Sequence, residues 1–288
     1  MRWQWKLLRA GAFRLDGGSM FGVVPKALWS RRSQPDAENR IPLQTNCLLL
    51  EAAGRRLLIE TGYGDKWDAE GRAMYAMQPR SVLDALAEVG VAPESIDAVL
   101  VTHLHFDHAG GLTRLGPEDR PVPAFPNAEI IVQRGEWEDA LANRSTMGRT
   151  YLRSHLDPVA DQVRLIEGEA EVLPGIVVWP MVGHTWGQQA VRYEDGHGVV
   201  CFPGDVMPTI EHAGLAWNMA YDMLPYTNMQ SKQALLERAL AEGWRIVIDH
   251  EPGWPVVRVA ERPDRPGQLQ LLRVDDEAAP AGAPESGA

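Results

Sequence analysis

The stretch that decides the fold is THLHFDHAGG, residues 102–111, which follows the apolar run IDAVLV. It places His103, His105, Asp107 and His108 within six positions. Imidazole nitrogens and carboxylate oxygens are ligands that Zn²⁺ and related divalent ions take in proteins. An exposed polar loop would account for one histidine, but not for three imidazoles and a carboxylate together. The stretch therefore predicts a metal site at the end of a strand.

Three further candidate ligands follow apolar, strand-like segments in the same way. They are His184 in MVGHTWGQ, Asp205 in CFPGDVMP and His250 in IVIDHEPG. Because α/β proteins place their ligand chemistry in the loops at strand ends, we expect these side chains to meet the histidine-rich loop.

The patterns between these loops predict strands and helices in two blocks. IPLQTNCLLLEAAGRRLLIETGYGD reads as a hairpin, and SVLDALAEVG reads as a helix with Ser81 as N-cap and Gly90 as C-cap. AEIIVQ, QVRLIEG, EVLPGIVVWP, QAVRYE, GVVCFPG and RIVID read as strands, and RGEWEDALAN and KQALLERALAEG as helices. Two sheets packed face to face, with helices on both outer sides, satisfy this order: an α/β, four-layer αββα sandwich.

Length and composition set the domain organisation. The chain has 288 residues, 45% of them hydrophobic, which is enough for one sizeable core. We assign residues 1–274 to a single domain, in which 1–40 is an N-terminal extension with a loop that covers the cleft or an interface. The end, 275–288, lacks apolar periodicity and predicts a disordered tail.

Charge and hydropathy exclude several classes of partner. A net charge of −11 argues against a nucleic-acid partner, because such proteins need a basic surface to displace counterions. No run is long and apolar enough to span a membrane, and the start lacks a signal-peptide pattern, so we expect no membrane association and a cytoplasmic protein. Cys47 and Cys201 lie in apolar segments and are expected as reduced core thiols.

The motifs THLHFDHAGG, GHTWGQ, GD and the late DH, in this order, resemble those of the metallo-β-lactamase fold superfamily. The similarity runs from Ile41 to His250. The stretch LDGGSMFGVVPKALW, residues 15–29, is similar to a subgroup related to quorum-quenching lactonases. The resemblance implies a metallo-β-lactamase fold and a metallohydrolase.

The resemblance also implies a ligand set for two divalent metal ions. One ion would be held by His103, His105 and His184, the other by Asp107, His108 and His250, with Asp205 between both. Glu60, where the family usually carries an aspartate, would support a ligating histidine. Zn²⁺ is the expected metal, and Mn²⁺, Co²⁺ or Fe²⁺ would also suit these ligands.

Such a centre would act through a hydroxide that bridges the two metals, with Asp107 as the proton shuttle. The expected substrate is a small molecule with a lactone, like an acyl homoserine lactone, or a related ester. A phosphotriesterase or aryl-esterase is the alternative. An iron-dependent redox member and a non-catalytic metal-binding module are less favoured, and metal content and turnover would separate them.

Apolar and aromatic residues outside the metal loops supply candidates for substrate binding. We expect Phe21, Trp29, His212, Trp217 and Tyr221 to contact the substrate. Better-known lactonases of the family carry a tyrosine a few residues after the bridging aspartate, where this chain reads VMPTI. Tyr221 would therefore have to take that catalytic role.

The same apolar N-terminal stretch would also suit a homodimer interface. His155 and His197 are expected at the surface.

Overall fold

The computed structural model describes residues 1–274, so the predicted tail lies outside the described residues. The strands, in chain order, are β1 (Gln4–Asp16), β2 (Arg40–Ala52), β3 (Arg55–Ile59), β4 (Ala98–Leu100), β5 (Thr113–Leu115), β6 (Pro121–Pro123), β7 (Glu129–Gln133), β8 (Val163–Ile166), β9 (Ala170–Leu173), β10 (Ile176–Pro180), β11 (Gln189–Asp195), β12 (Gly198–Phe202), β13 (Arg245–Val247), β14 (Val256–Arg262) and β15 (Arg265–Arg273). The helices are α1 (Gly17–Phe21), α2 (Lys26–Trp29), α3 (Ala69–Met74), α4 (Val82–Glu88), α5 (Phe106–Ala109), α6 (Arg134–Leu141), α7 (Arg153–Leu156) and α8 (Pro225–Glu242).

The strands form two mixed sheets. The first has six strands in the order β1-β2-β3-β4-β7-β8, with β1, β2 and β3 antiparallel and the rest parallel. The second has seven strands in the order β15-β14-β13-β12-β11-β10-β9, and β12 and β13 are its parallel pair. A small hairpin, β5–β6, stands apart from both sheets.

Successive side chains of each strand point to opposite faces of the sheet, and this alternation forms the layers of the core. Leu48 and Leu50 of β2 pack between the two sheets, in one buried cluster with Phe202 of β12. The alternate residue Leu49 points the other way, into a cluster with the helical residue Leu86. A third cluster joins the outer face of the second sheet to α8. This order of helix, sheet, sheet and helix confirms the predicted αββα sandwich.

Local signals predicted several elements correctly. Helix α4 begins after Ser81, which forms a capping box with Asp84, and Gly90 follows its end with φ +72°. The hairpin β2–β3 turns at Ala53 and Gly54, as its sequence predicts.

Other elements differ from the prediction. EVLPGIVVWP was predicted as one strand but is the two strands β9 and β10, because Pro174 and Gly175, the latter at φ +79°, turn the chain back. The extension holds β1, an edge strand of the first sheet, and β14 and β15 extend the second sheet. Within residues 1–274, no helix is both long and apolar enough to cross a membrane.

Two histidines outside the metal loops lie in different environments. His197 is exposed in the turn between β11 and β12, as predicted. The prediction for His155 is wrong, because this residue lies on α7 and is buried, only 3% exposed. Burial, followed by the nearby Lys66 ammonium, lowers the pKa of His155 to about 3, so its ring is neutral.

Close packing of backbone explains the two glycines that end the histidine-rich loop. Gly110 has ordinary helical dihedrals, but a Cβ atom there would lie 2.3 Å from the carbonyl oxygen of Tyr63. At Gly111 the corresponding atom would lie 2.2 Å from the oxygen of Thr61. The histidine-rich loop and the segment after β3 can therefore pack this closely only because both positions lack a side chain.

We expect Gly110→Ala to destabilise the protein by about 1–3 kcal/mol, because the added methyl group overlaps a backbone that cannot easily move. Urea unfolding measures the change. The control is Gly135→Ala in α6, where an added Cβ meets nothing within 4 Å, and we expect that variant to be at least as stable as the parent. Equal stability of the two variants would contradict the close-packing account.

Candidate metal centre

The predicted ligands converge at one edge of the two facing sheets. His103, His105 and His108 follow β4 of the first sheet, while Asp205 and His250 follow the parallel pair β12 and β13 of the second. His184 lies in the segment between β10 and β11. Because the sheets pack face to face, loops that are distant in sequence meet here.

His103, His105 and His184 form the first cluster. Each offers a ligand atom that lies within 4.8 Å of the others, and all three residues are buried. His184 Nε2 lies 2.9 Å from His105 Nδ1. Burial, and then the neighbouring imidazoles, lower the pKa of His103 and of His105 well below the ordinary value. Both rings are therefore neutral, as metal ligation requires.

His108, Asp205, Asp249 and His250 form the second cluster, also with ligand atoms within 4.8 Å of one another. His250 Nε2 lies 3.1 Å from His108 Nε2. Asp249 was not among the predicted ligands, although it stands next to His250 in the motif DH. Asp249 Oδ1 accepts a hydrogen bond from the backbone N–H of His250 at 3.0 Å.

The Asp205 carboxylate lies between the two clusters. Its Oδ2 is 3.2 Å from His184 Nε2 and 4.0 Å from His103 Nε2. Its Oδ1 is 3.2 Å from His250 Nε2 and 3.6 Å from His108 Nε2. Each oxygen therefore faces a different set of imidazoles, which is the arrangement of a carboxylate that bridges two cations.

Three of the rings, those of His250, His184 and His108, have a hydrogen-bonding or ionic partner on the nitrogen that faces away from the clusters. That outer partner determines which nitrogen carries the proton. His250 Nδ1 lies 3.0 Å from the carbonyl oxygen of Gln44, which can only accept a hydrogen bond. His184 Nδ1 lies 3.0 Å from the Asp222 carboxylate, and His108 Nδ1 lies 3.2 Å from that of Glu60. When these rings are neutral, as metal ligands must be, the inner Nε2 atoms present lone pairs to one another and to Asp205.

This inner arrangement fits divalent cations. Lone pairs on two buried nitrogens about 3 Å apart repel each other unless a proton or a metal cation lies between them. Ligand atoms about 2.1 Å from a tetrahedral zinc ion would lie about 3.4 Å apart, close to the contacts described above. In addition, His103 Nε2 and Asp205 Oδ1 are buried without a hydrogen-bond partner. The donor set thus fits two divalent ions, one in each cluster.

Glu60 supports the second cluster from behind. Its Oε1 accepts a hydrogen bond from the Thr102 backbone N–H at 2.7 Å, and its Oε2 faces His108. Glu60 adopts φ +66°, a left-handed conformation that costs a side-chain-bearing residue free energy. The strained backbone brings the carboxylate to the ring of His108.

Asp107 lies beside the second cluster and on the wall of a cavity. Its Oδ2 is 3.6 Å from His250 Nε2, and its Oδ1 is 3.9 Å from His108 Nε2. The cavity has a volume of about 320 Å³ and reaches Asp205, His105, His184 and His250. Its other lining residues are Leu15, Met20, Tyr75, Phe106, Met147, Gly148, Arg149, Thr150, Met219 and Tyr221.

Of the five predicted substrate residues, Tyr221 lines this cavity. The structure places the other four in an aromatic stack behind the wall. Phe21 stacks on Trp29 at 5.3 Å and on His212 at 5.0 Å between centroids, and meets Trp217 edge-on at 5.6 Å. His212 Nε2 donates a hydrogen bond to the carbonyl oxygen of Met20, at 2.8 Å. The stack therefore supports the cavity wall through Met20.

Residues 40–250 match the family model of the metallo-beta-lactamase superfamily. The chain belongs to this superfamily, and its two His/Asp clusters make it a metallohydrolase of that fold with a dinuclear site.

Three relatives illustrate the likeness. An N-acyl homoserine lactonase of Bacillus cereus is 30% identical over 208 residues, which are 68% of this chain and 74% of that protein. The structure of a probable metal-dependent hydrolase from Staphylococcus aureus is 29% identical with a TM-score of 0.84, and the match covers 94% of this chain and 98% of that one. An N-acyl homoserine lactone hydrolase, with N-hexanoyl-L-homoserine bound at its catalytic metal centre, is 26% identical with a TM-score of 0.67, covering 88% and 95% of the two chains.

We expect Asp205→Asn to lower metal occupancy of both clusters, because the carboxamide lacks the charge that faces both. His103→Ala and His250→Ala should each lower occupancy of one cluster only. Elemental analysis after dialysis, expressed as ions per chain, measures this. Retention of two ions by Asp205→Asn would show that the carboxylate does not bridge them.

Proposed function

We propose that this protein opens the ring of a lactone that carries an apolar arm, of the N-acyl homoserine lactone type. The observation that carries the proposal is that both clusters border one cavity whose remaining wall is largely apolar. The relatives named above support the choice of a lactone, since lactonases are among them. An ester of similar shape would meet the same groups.

The two clusters, joined by Asp205, would hold divalent ions, which would supply Lewis acidity for the substrate carbonyl and an activated water. The protein residues then have to place the substrate and move a proton. Asp107 is positioned for the proton, because its carboxylate lies in the cavity beside His250. We assign it the transfer of a proton to the departing ring oxygen.

Tyr221 is assigned the role of a hydrogen-bond donor to the substrate carbonyl or to the oxygen that develops charge. Burial raises the pKa of its hydroxyl to about 12, so the phenol keeps its proton at neutral pH. It lines the same cavity as Asp107. Tyr221 would thus serve in place of the tyrosine that the lactonases carry after their bridging aspartate.

The apolar side of the cavity is assigned to the acyl arm. Leu15 and Met20 come from the N-terminal segment, Met219 from the loop before α8, and Met147 from the loop after α6. Methionine side chains adapt to irregular apolar ligands because they are unbranched and flexible. A longer acyl chain should therefore bind more tightly than a short one.

The test is hydrolysis of N-decanoyl homoserine lactone by purified, zinc-loaded protein, followed by proton release. N-butanoyl homoserine lactone, a phenyl ester and a phosphotriester are the comparison substrates. We expect the decanoyl lactone to have the highest kcat/KM, and His103→Ala to abolish turnover. A phenyl ester or phosphotriester hydrolysed faster than both lactones would assign the site to that substrate class instead.

Tyr221→Phe tests the donor role within the same assay. We expect kcat/KM for the lactone to fall by about 10-fold to 100-fold, because a hydrogen bond to developing charge is lost. Tyr226→Phe is the matched control, since this tyrosine is 71% exposed and outside the cavity lining. Unchanged turnover in Tyr221→Phe would remove the hydroxyl from the mechanism.

A further inference from the structure

A fully buried carboxylate, Glu136 on helix α6, lies next to the first cluster and has no role in the chemistry proposed above. Its Oε1 accepts a hydrogen bond from the backbone N–H of Leu104, at 2.9 Å, and its Oε2 accepts one from Thr185 Oγ1, at 2.6 Å. Tyr151 donates a third hydrogen bond, from its hydroxyl to Oε1, at 3.0 Å. Three donors thus offset the cost of burying this carboxylate.

These donors belong to the chain segments that carry the ligands of the first cluster. Leu104 stands between His103 and His105, and Thr185 directly follows His184. The two segments are far apart in sequence and come from opposite sheets. A single carboxylate therefore connects the loops that must bring three imidazoles to one ion.

His105 has a particular need for such support. Four of the five histidines of the two clusters have a hydrogen-bonding or ionic partner on the outer nitrogen: Thr102 for His103, Glu60 for His108, Asp222 for His184 and Gln44 for His250. His105 Nε2, in contrast, is buried without a hydrogen-bond partner. Nothing on that side of the ring determines its orientation by hydrogen bonding.

Packing against Tyr151 takes the place of that bond. The Tyr151 ring lies 4.9 Å from the His105 ring between centroids, at an angle of 54°. The hydroxyl of Tyr151 is held by Glu136. Glu136 therefore supports the position of His105 through two contacts, one with the backbone of Leu104 and one with the hydroxyl of Tyr151.

The backbone of Glu136 also fixes the loop of His184. A Cβ atom at Gly187 would lie 2.3 Å from the backbone nitrogen of Glu136, so the segment 184–187 packs directly on the start of α6. This packing leaves little freedom for the hydroxyl of Thr185 to move away from the carboxylate.

We propose that Glu136 is a positioning residue for the first metal cluster, which holds His105 and His184 in the arrangement that retains the ion. The inference rests on the metal assignment and not on the lactone, so its test uses no substrate. Replacing a residue that hydrogen-bonds to a metal-ligand segment typically lowers the metal affinity by about 10-fold to 100-fold.

The experiment measures metal release from the zinc-loaded protein to a colorimetric chelator. Glu136→Gln keeps the side-chain volume but cannot accept from all three donors, and we expect it to release one of its two ions about 10-fold to 100-fold faster than the parent. The other ion should leave at the parental rate. His250→Ala, which disrupts only the second cluster, identifies which release phase belongs to the first.

Asp195→Asn is the matched control, because it makes the same carboxylate-to-carboxamide change at another buried site. Asp195 on β11 accepts hydrogen bonds from Trp5 on β1 and from Arg245 on β13, outside both clusters. We expect it to lower the melting temperature without changing either release phase.

Two milder variants dissect the same contacts and serve if Glu136→Gln does not fold. Tyr151→Phe removes one of the three hydrogen bonds and keeps the ring, and Thr185→Val removes a second one at nearly constant volume. Each should accelerate release of the first ion by a smaller factor. Parental release rates in all folded variants, or equal acceleration of both ions, would overturn the proposal and leave Glu136 with a role in stability alone.

Discussion

The metal centre depends on one constraint, which is that a buried carboxylate lies between two sets of inward-facing imidazole lone pairs. Asp205 contacts His184 with one oxygen and His250 with the other, both at 3.2 Å. Burial alone would raise the pKa of Asp205, but without a metal the protonated rings of His250, His184 and His108 outweigh it and hold the pKa well below its usual range. Divalent cations bound by the two clusters would balance the negative charge of this buried carboxylate.

The rest of the fold makes that arrangement possible. Five rings must be oriented in a small volume, and for three of them the protein uses acceptors drawn from distant parts of the chain. Gln44 lies on β2, Asp222 precedes α8, and Glu60 follows β3 in a strained conformation. The same layers leave one side of the centre open to a cavity. A rigid inner site and an adaptable apolar wall are thus built by different segments.

Much of this could be predicted from sequence because its signals are local. The histidine-rich loop, the AAGRR turn of the hairpin before it and the capping box at Ser81 are each specified by residues close together in the sequence. The remaining ligands could be predicted because each follows an apolar strand. Asp249 was missed although it adjoins His250, because a single sequence does not show whether a carboxylate next to a strand-end ligand points into the site.

The features that could not be predicted from the sequence depend on tertiary contacts. Glu136 reads as an ordinary helix residue, and its partners lie 15, 32 and 49 positions away in the chain. Asp222 shows its role only beside His184. Phe21 and Trp29 were expected to contact the substrate, but both are buried in a stack with His212, while Met20 of the same N-terminal run lines the cavity. Edge strands β1 and β15 were missed because several of their positions are only partly buried, which weakens the alternation.

The most direct test of the central claim is a crystallographic anomalous-difference map of the zinc-loaded protein at the zinc absorption edge. If Asp205 lies between two cations, the map will show two peaks about 3.5–4 Å apart, the separation of two-metal sites, with one oxygen of Asp205 next to each peak. A single peak, or two peaks of which Asp205 contacts only one, would contradict it.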